Sequence, residues 1–265
     1  MKIDHEFYLM HILLSESTYF ILLQDMYRFN IFQEVNGEKT INLNRFVNKI
    51  LPTTISYRQE KDKIFEKTIL KKYSDYLKYN DKESTTLLTL LANENFYGDD
   101  LFSYRNIKIT LRISKANMKL MDYIFEDLID FKIQKSKFIR NLLNQYSDLK
   151  PDIREFICYN KEYHLFEKAI EKKSIIKYVL DGTTEEALPI LIHTCPYDSE
   201  IYLFTIKRIN NNELELKTIR LCNIENITII DKTLEINNLD ELQEKINDYV
   251  FELKYFDNRV IIIKG

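Results

Sequence analysis

The stretch Ile107-Lys108-Ile109-Thr110-Leu111-Arg112-Ile113-Ser114 decides how this chain reads. Ile107, Ile109, Leu111 and Ile113 alternate with Lys108, Thr110 and Arg112, and a period of two puts each set on its own face of a strand. From Lys115 to Phe131 the period becomes helical, with Met118, Met121, Tyr123, Ile124, Phe125, Leu128 and Ile129 on a wide apolar face. After a short break Ser136 reads as the N-cap of a second helix carrying Phe138, Ile139, Leu142 and Leu143.

The same layout occurs once more upstream. Aligning Ser15 on Ser114 lays the strand Tyr8–Leu14 over Ile107–Ile113 and the helix Glu16–Phe32 over Lys115–Phe131. Further on, Ile41–Leu51 lies over Ile133–Leu143, so Arg45-Phe46-Val47 meets Lys137-Phe138-Ile139 and Asn44 takes the N-cap place of Ser136. Only the turn differs, with Gln33 to Thr40 in the first copy and Lys132 alone in the second. The reading is an internal duplication of one strand–helix–helix unit. Between the copies, Glu60–Tyr79 and Ser84–Phe96 read as two bridging helices closed near Gly98.

ITLRIS followed by a helix and then KSKFIRNLL resembles the strand and second helix of the ribbon-helix-helix family. The resemblance implies two intertwined copies whose strands pair antiparallel into a ribbon that enters the DNA major groove. With both copies in one chain, the first 150 residues would form a pseudo-dimer. Lys108, Thr110 and Arg112 would then project outward toward base edges or phosphates. Lys135, Ser136 and Lys137, with the backbone N–H groups of their helix start, would clamp a phosphate. The first copy departs from this pattern. Its outward residues Leu9, His11 and Leu13 are poor partners for base edges, so the ribbon reads half a site or contacts protein.

Beyond about Lys161 a helix, Tyr163–Lys172, precedes short β-like runs at Ile175–Leu180, Ala187–Thr194, Glu200–Arg208, Glu213–Leu221 and Ile224–Ile230. Asp181-Gly182, Pro196–Ser199 and Asn210-Asn211-Asn212 separate them as turns. One helix and about five closely spaced strands predict a small, strongly bent sheet or barrel. These runs resemble the WYL domain, an Sm-like barrel of bacterial regulators. The residues that carry the likeness are Ala169-Ile170, Ile176-Lys177-Tyr178, the Pro189 strand, Ile201-Tyr202-Leu203 at the eponymous tripeptide, and Ile219-Arg220-Leu221 followed by Ile224. Ile201 replaces the leading tryptophan, in a chain that has no Trp. The resemblance implies a nucleotide, oligonucleotide or other anionic ligand held by Tyr202 and Arg220, with Tyr178, His193 and Lys207 as further pocket residues. The alternative, with the large aromatic replaced by Ile201, is that ligand sensing is lost while the barrel survives as an assembly module. A terminal helix, Leu239–Leu253, and a last strand, Arg259–Lys264, follow. The WYL resemblance implies an extension that covers the barrel or dimerises, and the alternative is a terminal helix that simply packs on the domain.

The expected fold class is therefore α+β. Its expected divisions are a first ribbon-helix-helix-like unit (1–59), a helical bridge (60–105), a second unit (106–150), a linker helix with the barrel (151–232) and an extension (233–265). Composition narrows the function classes. The 265 residues carry a net charge of −3, yet Ile107–Lys150 has a net +4 and Asp231–Asp257 a net −5. A basic middle beside an acidic tail suits a polyanion-binding module attached to a part with another task. The four glycines build no P-loop, GxSxG or GxGxxG, and the four histidines form no HxxxH or HxH pair. Three scattered cysteines without a CxxC suit a reducing compartment. The start MKIDHEFYLMHILL does not read as a signal peptide, and no apolar run reaches the ~18 residues of a membrane span.

The expectation is a cytoplasmic, non-enzymatic protein without cofactor or metal. By resemblance it is a nucleic-acid-binding, ligand-responsive transcriptional regulator of the WYL type, with DNA or single-stranded RNA as partner. Any homodimer would form through the barrel or the extension. The alternative is an accessory protein of a CRISPR or phage-defence ribonucleoprotein that binds single-stranded RNA or a protein partner.

Overall fold

The computed structural model describes residues 7–35, 37–73, 106–126, 135–210, 213–234, 236, 239, 242–244, 246 and 260–264. It is a mixed α+β chain of two compact units, Met1–Leu149 and Lys150–Gly265.

In the first unit, β1 (Phe7–Ser15) leads into α1 (Glu16–Arg28) and β4 (Asn106–Ser114) leads into α3 (Lys115–Glu126). The two strand–helix junctions are built alike. Ser15 caps α1 by accepting the Thr18 N–H at 3.1 Å, and Ser114 accepts the Asn117 N–H at 3.3 Å. β1 and β4 pair antiparallel from Phe7↔Ser114 to Ser15↔Asn106, with His11 opposite Thr110 at the centre. His11 and Thr110 are also equivalent positions in the sequence repeat. A register that sets equivalent residues opposite each other at mid-ribbon is that of a local two-fold axis.

The second helices exchange sides. α2 (Leu43–Tyr73), from the first copy, packs on β4, and α4 (Lys135–Ser147), from the second, packs on β1. Ile12, Leu14, Leu111 and Ile113 point inward and are buried with Leu22, Met26, Phe46, Ile50, Phe138 and Leu142. Each fully buried aliphatic or aromatic side chain of this kind contributes about 1.5–3 kcal/mol. Polar ties also cross between the copies. The Thr18 hydroxyl donates to Asn144 Oδ1 at 2.9 Å, and the Tyr146 hydroxyl donates to the buried Asp25 at 2.9 Å.

Local chemistry moves several boundaries. α1 stops at Arg28 rather than Phe32 because Asn30 takes a left-handed φ of 54°. The chain then forms a hairpin, β2 (Phe32–Val35) with β3 (Glu38–Ile41), where the sequence suggests only a turn. Asn42, not Asn44, caps α2, its Oδ1 accepting the Arg45 N–H at 2.9 Å. α4 begins at Lys135, so Ser136 lies inside the helix instead of capping it. α2 runs through residues 59 and 60, so no break separates a first unit from a bridge at that point. Pro52 lies inside this helix without an N–H, and the Asn48 carbonyl it would have bonded accepts the Asn117 amide at 2.9 Å instead. The remainder of the expected bridge, and residues 127–131 of the expected helix Lys115–Phe131, lie outside the described residues.

The second unit opens with α5 (Pro151–Cys158) and α6 (Asn160–Glu171). Six antiparallel strands follow: β5 (Ser174–Leu180), β6 (Thr183–Thr194), β7 (Ile201–Asn210), β8 (Glu213–Arg220), β9 (Ile224–Thr233) and β10 (Val260–Lys264). Their order is β10-β8-β7-β6-β5-β9. Asp181 and Gly182, with φ of 50° and 76°, make the two-residue turn that joins β5 to β6. β6 therefore starts at Thr183, earlier than the expected Ala187.

The curl of this sheet follows from one connection. β8 and β9 stand four strand spacings apart in the order, about 19 Å in a flat sheet. Only the 3-10 turn Leu221–Asn223 joins them, and three such residues rise about 6 Å. The sheet must bend back on itself. β6 supplies the bend: Thr183–Ala187 pairs with β5 and Leu188–Thr194 with β7, with an irregularity between Pro189 and Leu191. Among the described residues no pairing joins the two ends, so the expected barrel is a curled sheet that hydrogen bonds do not close. Leu239, Leu242 and Ile246 pack with Leu188, Ile190, Tyr202 and Phe204, and the Gln243 amide donates to the Ile190 carbonyl at 3.0 Å. Residues 247–259, the rest of the expected terminal helix and the approach to the last strand, lie outside the described residues.

Candidate nucleic-acid interface

The inward set of β1 and β4 fills the core, so alternation delivers Leu9, His11, Leu13, Lys108, Thr110 and Arg112 to the outer face, all exposed. No acid is among them. Register makes three cross-strand pairs, Leu9 with Arg112, His11 with Thr110 and Leu13 with Lys108. His11 Nδ1 and the Thr110 hydroxyl lie 3.0 Å apart, so they engage each other across the ribbon centre. Leu9 is 69% exposed, and Phe7 and Leu13 are about half exposed. One strand offers cations and the other offers apolar surface.

The three expected clamp residues separate. Lys135 is ion-paired with Asp122 of α3 and braces two helices. Ser136 and Lys137 instead line a hollow of about 290 Å³ with Arg140, His11, Ile12 and Leu13. Arg140 was legible from spacing, since positions three and four residues before it on a helix are Lys137 and Ser136.

In the second unit, His193, Tyr202 and Arg220 stand side by side on β6, β7 and β8. The Tyr202 hydroxyl donates to Asp198 at 3.1 Å and Glu200 at 3.0 Å, and burial followed by the charge of Glu200 pushes its pKa up. Arg220 lies between two acids, with Nη2 2.8 Å from Glu200 and Nε 3.7 Å from Glu155. Burial alone would weaken its charge, but Cys222, Glu155 and Glu200 hold its pKa above the ordinary value. The fully buried Glu155 also accepts the Ile201 N–H at 3.0 Å, which ties α5 to the start of β7. Half-burial lowers the His193 pKa.

Tyr178 sits elsewhere, on β5. Its hydroxyl donates to Glu185 at 3.0 Å, and Lys217 Nζ lies 2.7 Å from the same carboxylate. Lys207 is exposed opposite Glu215 on β8. The five expected ligand residues thus fall into a row of three and a separate pair, and carboxylates meet the tyrosines and the arginine. Glu155 was missed in the sequence, where nothing distinguishes a buried acid on an amphipathic helix from a solvated one; Glu185 reads there, with Glu186, as a solvated loop charge, whereas it stands half-buried on β6.

Comparison with known proteins adds the fold-level context. A solved structure described as the crystal structure of a CRISPR Cas-related protein superposes with a TM-score of 0.65 and 13% identity, over 90% of this chain and 67% of its own. At that identity the likeness concerns the fold alone. No family model and no curated protein matches the chain. Among the described residues there is no group of three or more His, Cys, Asp or Glu placed to hold a metal, and no helix long and apolar enough to cross a membrane.

Proposed function

We propose that the first unit is a ribbon-helix-helix-type pseudo-dimer that binds nucleic acid through the outer face of β1 and β4, as part of a regulator rather than an enzyme. The observation that carries this reading is Lys108 and Arg112 exposed on a two-stranded ribbon whose outer-facing residues include no acid. Phosphates lose little by meeting such a face, and condensed counterions are released when they do. The apolar half of the ribbon argues against symmetric reading of a palindromic duplex. Leu9, Leu13 and Phe7 offer contact for unstacked bases, so a single strand is the better fit.

The second unit is, in this proposal, an Sm-like domain of the WYL type that serves assembly rather than anion sensing. Arg220 already has Glu155 and Glu200 as counter-charges, and an anionic ligand would have to displace them. The structural likeness to a protein described as CRISPR Cas-related favours a second reading, an accessory protein of a CRISPR ribonucleoprotein.

Fluorescence anisotropy with labelled single-stranded RNA, single-stranded DNA and duplex DNA across a salt series tests both. Lys108→Ala with Arg112→Ala should weaken binding at least tenfold and reduce the slope of log affinity against log salt by about 1.4 on single strands. A strong preference for one duplex sequence would favour an operator-reading regulator. Unchanged affinity in the double variant would remove the ribbon from the interface.

A further inference from the structure

The local two-fold axis of the first unit makes α1 and α3 counterparts, yet their outer faces differ. The exposed residues of α1 are Ser17, Phe20, Gln24 and Tyr27, and none of them carries a charge. Steps of three, four and three residues line them up along one side of the helix. In α3 the repeat sets Ala116, Lys119 and Tyr123 at the first three of these places, so an exposed lysine stands where α1 has Phe20.

Phe20 is 56% exposed and Tyr27 is 60% exposed. Each ring is braced by a neighbour. Tyr19 meets Phe20 edge-on with 6.1 Å between ring centroids, and Phe32 of the hairpin meets Tyr27 edge-on at 5.7 Å. Rings held in this way lose little freedom when another surface covers them, and aromatic anchors supply much of the affinity where proteins meet. The opposite side of α1, with Thr18, Leu22, Asp25 and Met26, is already buried in the core. The stripe therefore has no use inside the unit.

We infer that α1 is a contact between two copies of this chain, packed antiparallel about a two-fold axis at the level of Leu22. The four exposed residues are placed symmetrically about that level. Antiparallel packing sets Ser17 against the partner's Tyr27 and Phe20 against the partner's Gln24, so each ring meets a smaller side chain in its own layer. A parallel pair would set ring on ring and leave a gap at Ser17. The antiparallel pair also keeps the two copies of Glu16 at opposite ends of the contact, and those of Arg28 likewise, so like charges do not face each other. The face thus complements itself in size and carries no charge to desolvate.

α3 does not offer the same contact, because covering Lys119 would strip its ammonium of water. With one such face instead of two, the contact is isologous and closes at two copies; a second matching face would let copies add end to end. Taking about 200 Å² for an aromatic side chain, Phe20 and Tyr27 together offer about 230 Å² of ring surface per copy. Two helices of 13 residues joined along one side bury less than the ~1,200 Å² of standard stable complexes, so the dimer is weak and depends on concentration. Self-association then lies in the first unit, not in the barrel or the extension. None of the four residues belongs to the ribbon, so the inference does not depend on the nucleic-acid reading.

Sedimentation velocity of the full-length chain over a concentration series tests the contact. The chain should pass from monomer to dimer in roughly the micromolar range, with no larger species. Phe20→Lys with Tyr27→Glu copies the α3 residues Lys119 and Glu126 and leaves the net charge unchanged. It should weaken the dimer at least about tenfold, with an unchanged thermal melt in dilute solution because both positions are exposed. A chain carrying Phe20→Lys, mixed with one carrying Gln24→Glu, should form mixed dimers more readily than either pairs with itself. No such preference would overturn the antiparallel arrangement. A chain that stays monomeric at the highest concentration reached would overturn the self-contact and leave the stripe to a different protein. A dimer indifferent to the double variant would overturn it too, and would move self-association to the barrel or the extension. Species that grow past the dimer would overturn the closed two-fold contact.

Discussion

Arginine appears in both units as a strand residue, yet Arg112 and Arg220 do opposite things. Arg112 is exposed on a ribbon face with no acid on it, and its backbone, rather than its guanidinium, is what Asn44 and Asn48 hold. Arg220 is largely buried, with Glu155 and Glu200 against its guanidinium. The lesson concerns counter-charge. A cation that the fold has already neutralised holds elements together, whereas a cation on an acid-free face remains available to a polyanion.

Breaking the second unit's internal pairing should give the largest effect. Glu155→Ala removes the carboxylate that meets Arg220 and the Ile201 N–H, leaving a buried cation and a buried donor without it. Loss of one partner of a buried pair costs about 3–5 kcal/mol. Urea unfolding of the variant should show a drop of that order, and adding Arg220→Met should recover part of it. No recovery would mean that the bond to Ile201, not the ion pair, is what matters. Nucleic-acid affinity under native conditions should stay within about twofold, since Arg220 has no place in that interface.

Next in size is Asn48→Ala in the first unit. It removes the acceptor for Ser114 N–H and the donor to the Arg112 carbonyl at an otherwise unpaired strand edge. A loss of roughly 1–3 kcal/mol is expected by chemical denaturation. Lys108→Ala with Arg112→Ala completes the series, with unfolding midpoints near wild type, as is usual for exposed positions, and about 1.4 kcal/mol or more lost in binding, the equivalent of tenfold.

Legibility followed the same division. Ile107–Ile113 alternates cleanly and reads as a strand on its own, whereas Tyr8–Leu14, apolar on both faces apart from His11, was found through its alignment with that strand, and their antiparallel pairing was what the ribbon-helix-helix resemblance implied. Local backbone choices were less visible. Asn30 in a left-handed conformation and Asn42 rather than Asn44 as a cap go with the hairpin of β2 and β3, which lies where the sequence suggests only a turn. The run β5 to β8 follows from its turns, but the places of β9 beside β5 and of β10 beside β8, and the partners of the charges, do not. Tyr178, Tyr202 and Arg220 were found as residues of interest; Glu185 faces Tyr178 directly across the Asp181-Gly182 hairpin and Glu200 lies two residues before Tyr202, so spacing records both, whereas Glu155 comes from a helix far back in the chain and left no such trace.

The smallest expected effect tests the pairing of Glu185 through pH. Burial works against its charge, but hydrogen bonds from Lys217 and Tyr178 hold its carboxyl below the ordinary value. With the folded value below the unfolded one of about 4.3, the unfolded chain takes up the proton first. The pair's contribution is therefore present above about pH 4.3 and is lost as pH falls through the folded value. Glu185→Gln should be less stable than wild type near neutrality, and the gap between the two unfolding midpoints should close in acid. A gap that stays constant across that range would assign the contribution of Glu185 to packing rather than charge. Raising salt at neutral pH should narrow this gap only slightly, because the pair is partly buried, while the same salt should sharply weaken binding by the ribbon. Two cations of the second unit, Lys217 and Arg220, would then report through stability, and two of the first, Lys108 and Arg112, through affinity.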